Sequence, residues 1–179
     1  MATLPLENME LRHPGLTAAM AQMFFEAASI CLSRHHSRPS IVDIEVAEGG
    51  KLQARMDWLQ GTPQMKRAYA NIIDSTEWGA YGVSLAALEL KSGLVAVQRA
   101  ETLSGADYYV APSTASNDDL EDAFRLEVSG TDLGARQICR ARLTKKVEQT
   151  KSAGHTKPAL AAVVGFAEKL VLMSDVIAP

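Results

Sequence analysis

Gly105-Ala-Asp-Tyr-Tyr-Val-Ala111 and Ala123-Phe-Arg-Leu-Glu-Val-Ser-Gly130 are the two runs whose reading decides the fold. Each is short and rich in β-branched and aromatic residues; the first is entered through glycine and the second is closed by it, so both read as strands. Asp107 lies in the first and Glu127 in the second, which places one carboxylate on each predicted strand.

Working outward, a helical segment with Ala80, Val83, Ala87, Leu88 and Leu90 among its packing positions stops at Gly93, a residue type suited to a helix C-terminus. Leu94 to Ala100 follows as a strand. Downstream, a basic segment from about Leu133 to Thr150 has helical spacing, with Ile138, Cys139, Leu143 and Val147 as its apolar stripe. Ala159-Leu-Ala-Ala-Val-Val-Gly-Phe166 then reads as a buried strand. The order over residues 75–166 is helix, three strands, helix, strand, and the fold class is α/β (α+β).

That order, with an acid on the second strand and another on the third, resembles the PD-(D/E)XK superfamily of restriction-endonuclease-like nucleases. Ala106-Asp-Tyr-Tyr, Arg125-Leu-Glu-Val-Ser-Gly and Lys145-Lys146-Val-Glu-Gln149-Thr are also similar to a bacterial family of that fold with no settled activity. The resemblance implies an αβββαβ core and a magnesium-dependent phosphodiesterase acting on nucleic acid. By the same resemblance Asp107 and Glu127 are the metal ligands, joined by Glu77 from the preceding helix and the carbonyl of Val128. The family's E-x-K element would put a lysine at position 129, where this chain has Ser129. In some members that lysine has moved to the following helix, so Lys146, or its neighbour Lys145, is expected to replace it. Gln149 shares a face with Lys146 and Arg142 and is expected to contact a phosphate or a water.

A chain of 179 residues can bury one good core, and a single domain over residues 1–179 is expected, with residues 1–60 as an amino-terminal extension. Its net charge of −3 gives no global attraction to polyanions, so any nucleic-acid surface must be local, on the basic helix. The two cysteines, Cys31 and Cys139, form no CxxC pair and read as reduced structural thiols of a cytoplasmic protein. No leader pattern opens the chain and no segment reaches the ~18 apolar residues of a membrane span, so no membrane partner is expected.

In the extension, Leu16, Met20, Met23, Phe24, Ala27 and Cys31 make the stripe of an amphipathic helix over Gly15–Leu32, preceded by a polar, proline-containing stretch that reads as either a mobile arm or a packed extension. His35 and His36 read as solvated loop residues. Ile41–Ala47 and Leu52–Leu59 alternate as a hairpin about Gly49 and Gly50, with Asp43, Glu45 and Asp57 on its wet face. Thr62-Pro63 starts a helix expected to reach Ile73. Asp74-Ser-Thr-Glu77 has the spacing of a capping box, which gives Glu77 a structural reading beside the chemical one. Ser113 to Asp122 reads as an exposed acidic loop.

Three functions remain open at this point. The chain is a metal-dependent nuclease, a catalytically inactive relative serving as an oligomeric or partner-binding module, or a module that binds nucleic acid without cutting it.

Overall fold

A computed structural model of the protein describes residues 1–47, 49–102, 104–114, 120–152 and 157–176, the side chain of Ser152 apart. Four helices, α1 (Ala18–Ser33), α2 (Pro63–Ala68), α3 (Ile72–Ser92) and α4 (Arg136–Ser152), accompany seven strands. These are β1 (Ser40–Val46), β2 (Gly50–Met56), β3 (Leu94–Arg99), β4 (Tyr108–Pro112), β5 (Phe124–Thr131), β6 (Ala159–Gly165) and β7 (Leu170–Val176). One mixed sheet holds all seven in the order β2-β1-β7-β6-β5-β4-β3. Its pairs are antiparallel except for β1 with β7 and β5 with β6. The expected order of helix, three strands, helix and strand is present from α3 to β6.

The uninterrupted apolar run of β6 follows from its central place. Leu160, Ala162 and Val164 face the core formed with α1 and α3, while Ala159, Ala161 and Val163 face α4 through Cys139, Leu143 and Val147. A strand covered on both faces has no position left for a polar residue. Cys31 and Cys139 are buried free thiols. Ile138, expected in the packing stripe of α4, is 48% exposed instead, because the stripe that meets β6 and β7 runs through Cys139 and Leu143.

The hairpin forms as expected but is built into the sheet, since β1 pairs with β7, a strand absent from the sequence reading. Its acids are not simply solvated. Asp43 and Glu45 both receive the guanidinium of Arg136, and Glu45 also receives Lys51 at 2.9 Å, so the hairpin is tied to the start of α4. His35 and His36 are also held: His35 Nε2 lies 3.2 Å from Asp132 Oδ1 and His36 Nε2 2.8 Å from the Phe166 carbonyl. Half of the expected acidic loop, residues 115–119, lies outside the described residues, as does Glu48.

The amino-terminal arm is packed. Leu4, Leu6 and Met9 are buried, and the arm runs from one edge of the sheet to the other. On β2, Arg55 donates its N–H to Ala2 and accepts that of Leu4, both at 2.8 Å. On β3, the Ala96 carbonyl accepts the Gly15 N–H at 2.9 Å and the Ala96 N–H is donated to His13 Nδ1 at 2.9 Å. Bare strand edges are templates for pairing with other chains, and here the arm fills part of both.

His13 is fully buried, and because Nδ1 accepts a backbone N–H its ring proton sits on Nε2, 3.0 Å from Glu89 Oε2. Burial, against the opposing pull of Glu89, holds its pKa below the usual 6.5. A histidine with a depressed folded-state pKa binds fewer protons folded than unfolded, so stability falls as pH drops below about 6.5. Unfolding free energies from denaturant titrations between about pH 7.5 and 5 should fall toward acid with a slope of at most ~1.4 kcal/mol per pH unit for one proton. His13→Gln, which can still accept the Ala96 N–H but does not titrate, should flatten that slope.

Candidate active site

The first turn of α3 sets one wall of the site. Asn71, not Asp74, caps the helix, its side chain accepting the N–H groups of Ile73 at 3.0 Å and Asp74 at 3.4 Å. The helix therefore starts three residues before the expected capping box, and Glu77 falls in the second turn with no end to cap. The helix of Thr62-Pro63 also ends early, at Ala68, because Tyr69 turns inward onto Ala27, Ile30 and Trp78. Freed from a capping role, Glu77 Oε1 accepts a hydrogen bond from the hydroxyl of Tyr81, one turn on, at 2.9 Å.

The strands bring the two central acids together. The β4–β5 register pairs Tyr108 with Leu126, and continued by one residue it sets Asp107 beside Glu127. Asp107 sits just before β4: its Oδ2 accepts the Val128 N–H at 2.8 Å, and its Oδ1 lies 2.9 Å from the Tyr81 hydroxyl, competing with Glu77 for that one proton, with Arg99 3.7 Å away. Leu126 and Val128 belong to the core under α1 and α3, so Glu127, between them, is directed to the α4 side by the alternation of a strand. There Lys146 Nζ meets Glu127 Oε1 at 2.5 Å. Burial dominates the titration of Glu127 and pushes its pKa above the usual carboxylate value; the Lys146 hydrogen bond opposes this, and the negative charge of Asp107 adds to it.

These groups line a single pocket of about 460 Å³. Of the residues expected at the site, Glu77, Asp107, Glu127, Val128 and Lys146 line it, and Lys145 and Gln149 do not. Successive side chains on a helix diverge, which is why Lys145 cannot share the position of Lys146. Arg142 completes the basic wall, its guanidinium 3.4 Å from the hydroxyl of Ser129. The pocket opens past Ile72 and Ile73, which are 55% and 77% exposed.

Close contact between α3 and β5 shapes the floor. A Cβ at Gly130 would lie 2.7 Å from the Thr76 carbonyl, so only glycine lets the helix carrying Glu77 approach the strand carrying Glu127 this closely.

Two residues of the site were not found by sequence reasoning. Tyr81 follows Glu77 at helical spacing, a signal that was available. Asp132 was not signalled; it lines the far end of the pocket, but its Oδ1 is taken by Arg34 at 3.1 Å and His35 at 3.2 Å.

The donor set is oxygen-only, which suits a hard divalent cation such as magnesium; such an ion binds through one or two carboxylates and keeps several waters. Among the described residues no three His, Cys, Asp or Glu side chains converge closely enough to hold a metal by themselves. Asp107 and Glu127 thus fit as a two-carboxylate platform completed by water, with Glu127 presently paired to Lys146.

Compared with known proteins, the chain matches no family model, no curated protein and no solved structure. No helix of the described residues is long and apolar enough to cross a membrane.

Proposed function

We propose that the protein is a magnesium-dependent phosphodiesterase of the PD-(D/E)XK kind, acting on nucleic acid. The observation that carries this reading is the meeting of Asp107, Glu127 and the Lys146 amine in one open pocket, although the three come from two strands and a later helix. The antiparallel run β3-β4-β5 followed by β6 parallel to β5 supports it, because that is the strand arrangement expected of such a core.

In this reading Asp107 and Glu127 hold the cation, and Val128 contributes through its backbone. A bound magnesium ion supplies polarisation of the phosphate and a water of lowered pKa. The rest falls to the chain. The Val128 N–H holds Asp107 in place before any ligand arrives, which is the kind of preorganisation that favours catalysis. Lys146 lies beside Glu127, and once released from that carboxylate its amine faces the charge developing on the phosphate, the task the family assigns to the lysine expected at 129. Arg142, on the same helix face, lies within reach of a substrate phosphate.

A second reading is favoured by the closed Lys146–Glu127 pair, which occupies one of the oxygens a cation would need. In it the protein keeps such a fold without catalysis and serves as a partner-binding or oligomeric module. The two readings part on one assay. Single-stranded and duplex oligonucleotides are incubated with the protein in magnesium or manganese, with and without a chelator. Cleavage that stops on chelation is the expected result; intact oligonucleotides together with no manganese binding would leave the non-catalytic reading.

A further inference from the structure

The pocket has two unlike ends, and its walls change character together along its length. On α4, Ile138, Arg142 and Lys146 follow one another at intervals of four and form one row. On β5, Glu127, Ser129 and Thr131 point to the α4 side by the alternation of the strand. The two rows run in opposite chain directions and match: Lys146 meets Glu127 and Arg142 meets Ser129. At the next step a Cβ on Gly134 would lie 2.8 Å from Thr131 Oγ1 and 3.4 Å from Ile138 Cγ2, so these two side chains flank one glycine. Four helical residues advance ~6 Å and two strand residues ~6.6 Å, which keeps the rows in step. On the opposite wall α3 brings Ile72 and Ile73 first and Glu77 one turn later. The end at Glu127 is charged, and the end at Thr131 is rimmed by aliphatic side chains.

That rim faces water. Ile72, Ile73 and Ile138 are exposed, and so is Leu133, at 76%, next in the chain to the pocket residue Asp132. Single exposed leucines are ordinary on a protein surface, whereas several gathered at the edge of a polar pocket mark a contact surface. The fold has no use for them there. The packing of α4 runs through Cys139 and Leu143, and Asn71 caps α3 without either isoleucine.

The ligand that fits must carry an anion for Arg142 and Lys146 and an apolar face a few ångströms further on. The outer surface of a duplex is phosphate and sugar, and its base faces are stacked inside, so an aliphatic rim would gain nothing from it without unstacking a step. An unpaired strand presents a base face beside every phosphate. A second copy of this chain fits less well. Four aliphatic side chains fall short of the ~800 Å² per partner of a stable interface, and a two-fold contact centred on the rim would bring Arg142 toward its own copy.

We infer that Ile72, Ile73, Leu133 and Ile138 form a nucleobase contact, so that the pocket selects an unpaired strand of nucleic acid over continuous duplex. This rests on the nucleic-acid reading of the pocket and adds which form of nucleic acid it takes. Arg142 and Lys146 hold the phosphate, and the rim covers the face of the neighbouring base.

The test is fluorescence anisotropy with three short labelled oligonucleotides in the presence of a chelator, so that nothing is cut: a single strand, its duplex, and an abasic strand of the same length. The full chain should hold the single strand roughly tenfold more tightly than either of the others, about what burying one aliphatic side chain supplies. Ile72→Ser combined with Ile73→Ser should abolish that preference at an unchanged melting temperature, both side chains being exposed, and Ile138→Ser should weaken it from the other wall. Arg142→Ala, by contrast, should weaken all three probes alike. An abasic strand held as tightly as the intact one, or a preference that survives the paired isoleucine substitutions, would overturn the base contact and leave the phosphate site standing. Rim substitutions that dissociate an oligomer without altering strand affinity would also overturn it and assign the rim to a second copy. Failure to bind any of the three probes would bring down the nucleic-acid reading, and this inference with it.

Discussion

Lys146→Met is expected to lower any magnesium-dependent hydrolysis by roughly 10²–10³-fold, the usual cost of removing one group aimed at developing charge. Of the two lysines expected at the site, Lys146 lines the pocket and Lys145, one residue away, does not. Lys145→Met should therefore leave the rate within about twofold, as a surface substitution away from the chemistry does. Equal losses in the two variants would mean that the basic helix acts as a diffuse field, and the placed-amine argument would be lost.

The same substitution carries a stability signature that tests the ion pair independently of catalysis. Glu127 has a raised folded-state pKa because burial outweighs the help of Lys146. A carboxylate with a raised folded-state pKa binds more protons folded than unfolded. Its contribution to stability is therefore greatest at acid pH and declines as pH rises from the unfolded value of about 4.3 through the folded one. Removing Lys146 deletes the main favourable influence on the charged form, so the window widens toward neutral pH. The side chains of the pair are 26% and 19% exposed, so the loss at pH 7 should be about 1–3 kcal/mol, below the ~3–5 kcal/mol of a fully buried broken pair. Lys146→Met should lose little at about pH 4.5, and adding Glu127→Gln should restore most of the loss at pH 7. Denaturant titrations at the two pH values decide it.

Much of this arrangement was legible in the sequence for a definable reason. Asp107 and Glu127 stand out because each is an acid within an otherwise apolar or aromatic strand, and strand periodicity is local information. The length and apolarity of Ala159–Phe166 identified a strand covered on both faces. Ser129 and the basic stripe of α4 directed attention to Lys146. The failures share a physical origin in tertiary contacts. Glu77 read as a cap because Asp74-Ser-Thr-Glu77 has capping spacing, but Asn71 is as good a cap and lies three residues earlier. Asp43 and Glu45 read as wet because nothing near them in sequence announces Arg136, which reaches them from α4. Tyr81 drew no reading at all, because no periodicity reports where a hydroxyl ends. The strand β7 was missed altogether, although its run Leu170-Val-Leu-Met is as apolar as β6, and with it went the reason the hairpin belongs in the sheet.

The packed arm leads to the largest expected effect on stability: deleting residues 1–16 should abolish cooperative folding. Leu4, Leu6, Met9 and Leu16 are each no more than 6% exposed, and truncating one such side chain costs about 2–5 kcal/mol. Four together reach or exceed the ~5–15 kcal/mol by which domains are stable at all. The deletion also frees the outward N–H and C=O of Arg55 on β2 and of Ala96 on β3, so whatever structure remains would present two sheet edges. Loss of a sigmoidal melt, or a shift to larger species in size-exclusion chromatography, is the expected outcome. Met9→Ala alone should cost about 2–5 kcal/mol without changing the oligomeric state, because it opens a cavity and leaves both edges covered. A deletion variant that elutes like the full chain and melts within a few degrees of it would show that the edges need no cover and that the core closes without the arm.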